Sequence, residues 1–216
     1  DYMGDSLALA QYAQKTDADV ILFCGVHFMS ETAKILNPSK TVLIPDLEAG
    51  CSLADSAETK EFSDWVNKHK NATVVSYINC SAEVKAMSDI ICTSSNAETI
   101  INSIPPNKPI LFAPDKFLGA YLSKKTGREL ILWNGYCQVH AIFSLKDLIK
   151  LKVRHPKAEV LAHPECAQEL IDHADFIGST TGLIKRTQKS SADQFIVVTE
   201  PGVIHQMEKL SPEKKY

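Results

Sequence analysis

VVSYINCSAEVKAMSDI at residues 74–90 and EVLAHPECAQELIDHADFI at residues 159–177 are two versions of one pattern. Laying Val74 over Val160 sets an offset of 86 residues, at which Tyr77 meets His163, Asn79 meets Glu165, Cys80 meets Cys166 and Asp89 meets Asp175. Further along, Thr93-Ser94-Ser95 meets Ser179-Thr180-Thr181 with no gap between. A weaker copy stands upstream: ILFCGVHFM at 21–29 resembles ILFAPDKFL at 110–118, and Cys51 and Cys137 again lie 86 apart. Self-similarity over such a period marks repeated supersecondary units. The chain divides into a partial first unit (1–51), a second (52–137) and a third lacking its end (138–216).

The middle unit sets the expected architecture. Short β-branched or apolar runs, 74–78, 89–93, 109–113 and 129–133, alternate with helical segments at 82–87, 98–104 and 117–124. That alternation predicts an α/β fold with parallel sheets covered by helices on both faces, a three-layer αβα domain. Crossover connections of one hand bring the strand C-termini to one edge, where open α/β sheets bind ligands. Tyr77, Asn79, His163 and Glu165 therefore stand at matched strand ends, with Ser94 and Thr180 after the next strand of each unit. Three such units around a common centre would turn all of these groups inward.

Helix starts offer a second kind of site. Gly4-Asp5-Ser6 and Gly178-Ser179-Thr180 read as helix N-termini, and Ser95 with Glu98 reads as a capping box. Free N–H groups there can hold a carboxylate or phosphate without a basic cluster. The first helix presents Leu7, Ala10 and Ala13 on one face, and a last one covers 203–209.

Composition narrows the classes. The chain has 216 residues, 44% hydrophobic, with a formal net charge of −3 and no long basic run, which argues against nucleic acid or an anionic membrane as partner. No apolar run is long enough to span a bilayer and no signal peptide is visible, so a soluble, cytoplasmic protein is expected. The six cysteines include no C-x-x-C pair, and Cys24, Cys80, Cys92 and Cys166 read as small buried hydrophobes.

In order along the chain, GDSL (4–7), GVHFMSETAKILNP (25–38), AGCSLAD around Cys51, YINCSAE (77–83), CTSSNA (92–97), GYCQVH (135–140), HPEC (163–166) and GSTTG (178–182) resemble the quinolinate synthases. The resemblance implies an enzyme that joins iminoaspartate to dihydroxyacetone phosphate, losing phosphate and water, to make quinolinate for de novo NAD biosynthesis. It implies three αβα domains related by pseudo-threefold symmetry around a central [4Fe–4S] cluster, held by one cysteine from each domain with one iron open to substrate. Cys51 and Cys137 match two of those ligands. Ser6, Tyr77, Ile78, Asn79, Ser94, His163, Pro164, Glu165 and Thr180 match the substrate site, with Glu165 as acid/base and His163 and Tyr77 as donors to developing oxyanions. An L-aspartate oxidase or aspartate dehydrogenase is the implied functional neighbour.

Two parts of the family pattern are missing: an early segment with a histidine and a tyrosine, and the third cysteine. The repeat carries Cys137 to position 223, so that cysteine is expected roughly seven residues past Tyr216, and the fragment alone is expected to be inactive. Two other classes fit part of the pattern. A non-catalytic iron–sulfur sensor needs Cys51 and Cys137 alone, and a dicarboxylate-binding protein needs only the helix starts.

Overall fold

The computed structural model describes residues 3, 4 and 6–216. Helix α1 (Ser6–Lys15) leads to β1 (Val20–Leu22), α2 (His27–Leu36) and β2 (Thr41–Leu43), the two strands pairing in parallel. Next come α3 (Ser52–Asp55), α4 (Thr59–Lys68), β3 (Thr73–Tyr77), α5 (Ala82–Ala86), β4 (Ile90–Cys92), α6 (Ala97–Ser103), β5 (Ile110–Ala113), α7 (Lys116–Thr126) and β6 (Ile131–Leu132). Their strands form a parallel sheet in the order β4-β3-β5-β6. The last segment holds α8 (Gln138–Ala141), α9 (Leu145–Arg154), β7 (Glu159–Ala162), α10 (Gln168–Ile171), β8 (Phe176–Ile177), α11 (Thr180–Lys189), β9 (Phe195–Val198) and α12 (Gly202–Leu210). Its parallel sheet runs β8-β7-β9. Among the described residues no helix is long and apolar enough to cross a membrane.

Alternation along the strands builds the layers. In the second sheet Val75, Tyr77, Ile110 and Phe112 face a core with Ile101, Leu118 and Leu122, while Val74, Leu111 and Ala113 face another with Phe62 and Val84. The third sheet divides likewise: Val160, Ala162, Ile196 and Val198 lie with Leu148 and Leu170, and Leu161 and Phe195 with Leu183 and Met207. Strands buried on both faces need mainly apolar runs, which ILFA and FIVV supply and TVVSY nearly does, its buried Ser76 accepting from the Ser88 hydroxyl at 2.7 Å. The first sheet differs: Val20, Leu22 and Leu43 are about half exposed or more.

The sequence repeat is also a repeat of pairing. Val75 opposes Ile90 as Leu161 opposes Phe176, each partner displaced by the same 86 residues. Asp89 accepts the Val74 N–H at 2.8 Å through its carboxylate, and Asp175 accepts the Val160 N–H at the same distance. Their own N–H groups return the bond to the Val74 and Val160 carbonyls. Each aspartate thus stitches the first residue before an outer strand to the central strand.

Several expectations need correction. The Ser95 capping box does not form: Asn96 is the N-cap of α6, its side chain accepts the Thr93 N–H instead, and Ser95 Oγ meets Thr93 Oγ1. The turn after β4 consumes the polar side chains that the motif assigned to the helix. Cys24 is exposed, because it lies past the end of β1, whereas Cys80, Cys92 and Cys166 are buried as expected. The strand expected over 129–133 contracts to two paired residues, Ile131 and Leu132. Ser179 does cap α11, accepting the Gly182 N–H, and Ala10 and Ala13 are buried under α1. Asp5 and the side chain of Leu7 lie outside the described residues.

Asp89→Ala and Asp175→Ala should each lower unfolding stability by about 1 kcal/mol, the worth of one such bond. Urea unfolding of the full-length protein checks this, and an effect at one position alone would end the structural equivalence of the two stitches.

Candidate active site

The polar groups follow the strands. Tyr77 closes β3 and leads into Ile78 and Asn79, Ser94 follows β4, and His163-Pro164-Glu165 follows β7. Thr180 opens α11 just after β8, Thr199 follows β9, and Cys137 and His140 are the N-cap and third residue of α8 after β6. All of these except Pro164 border one cleft of about 680 Å³, as does Ser6. Pro164 is buried behind the cleft and shapes it from the backbone. The Cys166 N–H donates to the His163 carbonyl at 3.0 Å, closing a four-residue turn with Pro164 at its second position. That turn carries Glu165 back toward the centre of the molecule.

Glu165, 2% exposed, is the hub. One of its oxygens lies 3.1 Å from His140 Nδ1 and the other 3.8 Å from His163 Nδ1. The two imidazoles stack with centroids 5.0 Å apart, and the Tyr77 hydroxyl donates to the same carboxylate. On its far side His140 Nε2 meets Thr199 Oγ1 at 2.9 Å. A hydroxyl, an imidazole and a carboxylate therefore follow one another along the cleft wall. His140 Nδ1 faces Glu165 at 3.1 Å without a well-aligned hydrogen bond, so that contact is mainly electrostatic.

The charges sort themselves accordingly. Burial disfavours the Glu165 carboxylate, but the neighbouring imidazoles and the Tyr77 hydroxyl more than offset this and bring its pKa down to about 2. Burial drives His163 down to about 4, so its ring is neutral at pH 7. Burial acts the same way on His140, but the Cys137 thiol and Glu165 prevail and lift it to about 10. The charge facing Glu165 at neutral pH is thus that of His140. Burial, and then Glu165, push the Tyr77 hydroxyl well above its usual value, keeping it a proton donor. Asp115, fully buried nearby, is raised to about 7 by burial and by Glu165.

Cys51 and Cys137 occupy matched places, each the N-cap of a four-residue helix. Cys137 borders the main cleft, and Cys51 borders a neighbouring one with Glu31 and Glu58. Burial raises the Cys51 thiol, and Cys137 and Glu165 are close enough to add to that rise.

The family described as quinolinate synthetase A protein (NadA) matches residues 1–216. The chain belongs to this family. It is 60% identical over its whole length to a quinolinate synthase of Synechocystis sp., covering 68% of that protein. It is 61% identical to those of Trichodesmium erythraeum and Gloeothece citriformis, covering 67% of each.

The two half-buried thiols stand on equivalent helix starts, Cys137 at the main cleft and Cys51 at its neighbour, and thiols so placed are of the donor type that would suit a thiolate-held cluster. Cys137 Sγ, a His140 ring nitrogen and a Glu165 oxygen also lie within 4.8 Å of one another, a mixed set suited to a transition ion. Sequence reasoning missed His140, Thr199 and Asp115. GYCQVH contained the signal for the first, since Cys137 and His140 are three apart and share a helix face. Nothing in the sequence marked the other two.

The sign of the pH dependence follows from two of these groups. His163 is depressed from about 6.5, so the folded state loses stability as pH falls from about 6.5 to about 4, where the unfolded chain takes the proton first. Asp115 works the other way, gaining stability as pH falls from about 7 toward the ordinary carboxylate range. In cluster-free protein, His163→Gln should therefore be favoured relative to wild type by on the order of 3 kcal/mol more at pH 4 than at pH 7. Paired urea melts at the two pH values check this, and a pH-independent difference would mean that His163 is not buried neutral.

Proposed function

We propose that this chain forms the greater part of a quinolinate synthase, which condenses iminoaspartate with dihydroxyacetone phosphate and eliminates phosphate and water to give quinolinate for NAD. The observation that carries the reading is the cleft itself. It gathers Tyr77, Asn79, Ser94, His140, His163, Glu165 and Thr199 beside Cys137 in a chain of the NadA family. Neither a sensor nor a simple dicarboxylate trap needs a buried carboxylate joined to a hydroxyl through an imidazole. The matched pairing of β3 with β4 and of β7 with β8 supports domains related by a pseudo-threefold axis, in units near 1–51, 52–137 and 138–216.

Cys51 and Cys137 would hold a [4Fe–4S] cluster together with a third cysteine of the full-length protein. When bound, that group supplies a Lewis acid beside the cleft. The remaining work belongs to this chain's side chains. The N–H groups at the start of α11, with Thr180, Ser94 and Ser6, offer donors to a carboxylate or phosphate. Tyr77 stays protonated and donates to an oxygen that gains charge, and neutral His163 does the same from the stacked ring. Glu165 is the acid/base at the cleft, ionised before it takes a proton, and it faces the charged His140, whose Nε2–H donates to the Thr199 hydroxyl. Iminoaspartate is the product of an aspartate-oxidising reaction, so an aspartate oxidase or dehydrogenase is the expected supplier, in the cytoplasm.

Anaerobic purification of the full-length protein with a quinolinate assay tests the reading. A four-iron spectrum with quinolinate formation supports it, and a colourless protein that makes none sinks it. Glu165→Gln should leave iron content unchanged while lowering kcat by about 10²-fold or more. Wild-type kcat in that variant would remove Glu165 from the chemistry. Cys137→Ser and Cys51→Ser should each abolish cluster assembly while far-UV circular dichroism stays unchanged, and full iron content in either would reject that residue as a ligand.

A further inference from the structure

The first two units build the same knot in front of their cysteines. The first residue of α2, His27, donates its N–H to the Ala49 carbonyl at 2.8 Å, and the first residue of α7, Lys116, donates to Gly135 at 2.9 Å. Ala49 and Gly135 each stand two residues before the cysteine that begins the next helix. At the N-cap the units part. The first has Val26, with no side-chain cap, while the second has Asp115, 0% exposed. In the third, Pro201 is the N-cap of α12 after β9, with no side-chain cap, and the exposed Glu200 before it accepts the Gly202 N–H.

The knot therefore forms without an acid, and Asp115 requires another explanation. A helix cap is worth about 1 kcal/mol. Burying a carboxylate costs several times that, and the Glu165 charge nearby adds to the cost. One oxygen of Asp115 accepts the Leu118 N–H at 2.7 Å, which is the cap. The other accepts the Cys137 N–H at 3.1 Å. Gly135 is held against the same turn: a Cβ there would strike Ser56 Oγ and the Pro114 carbonyl, and Asp115 and Gly135 form a parallel bridge.

We propose that Asp115 is a positioning residue for Cys137. Its two oxygens tie the start of α7 to the cysteine backbone, and so set the direction in which the thiol and, along the same helix, His140 reach the cleft. The proposal rests on the ligand reading of Cys137, and its test separates the two. Asp115→Ser in the full-length protein divides cap from tether. Serine caps α5, α9 and α11 in this chain, but its single oxygen cannot serve Leu118 and Cys137 together.

The variant should fold with wild-type circular dichroism. Its cluster should be stripped at roughly ten-fold lower chelator concentration, the usual weight of a group behind a metal ligand, and the electron paramagnetic resonance of the reduced cluster should change. In cluster-free protein the Cys137 amide should exchange its hydrogen faster than in wild type. Unchanged chelator resistance, spectrum and exchange, whatever the melting temperature does, would overturn the proposal. If wild type itself takes up no cluster, the ligand reading falls while the exchange measurement still decides the tether. Should the serine variant not fold, the near-isosteric Asp115→Asn, which turns an amide donor toward Cys137, is read in the same way.

Discussion

Burying the Glu165 carboxylate is the constraint from which most of this site follows. An anion removed from water must be met by donors or cations close at hand, and a single loop has too few. Here His163, two residues back on the same turn, is joined by partners from two other places in the chain: Tyr77 at the end of β3 and His140 on α8. Satisfying one carboxylate therefore holds the second and third sheets in register at their strand ends. Thr199, after β9, joins through His140 and extends the network to the cleft wall.

The repeated scaffold makes this convergence workable. Equivalent strands end at equivalent depths, so residues at matched positions point into shared space, yet they are free to differ. Tyr77 answers His163, and Asn79 answers Glu165. The Tyr77 hydroxyl on one side meets the Glu165 carboxylate on the other, giving donor against acceptor rather than charge against like charge. The same logic applies in front of the cysteines, where Val26 and Asp115 occupy one backbone position with different chemistry.

Much of this was legible from local pattern. The apolar runs announced β3, β5 and β7, because a strand covered on both faces has little choice of residue. Their ends announced where polar side chains would gather. Reading failed where neighbours compete for one hydrogen bond. Ser95 and Glu98 had the spacing of a capping box, but Asn96 took the N-cap and turned its amide to Thr93. Cys24 had the look of a buried thiol, and it is exposed beyond a strand of three residues.

By itself the sequence determined the parallel α/β scaffold, the offset between its units and the strand-end positions of Tyr77, Asn79, His163 and Glu165, since period and polarity are properties of the chain alone. Only the tertiary structure decided which of these groups touch. His140 and Thr199 lie 59 residues apart and meet at 2.9 Å, and Asp115 reaches Cys137 across 22 residues. No local pattern encodes such contacts, because they depend on how whole sheets are set against one another. The protonation of His140, His163 and Asp115 was equally out of reach, for it is set by burial and by charges that only the packed molecule brings together.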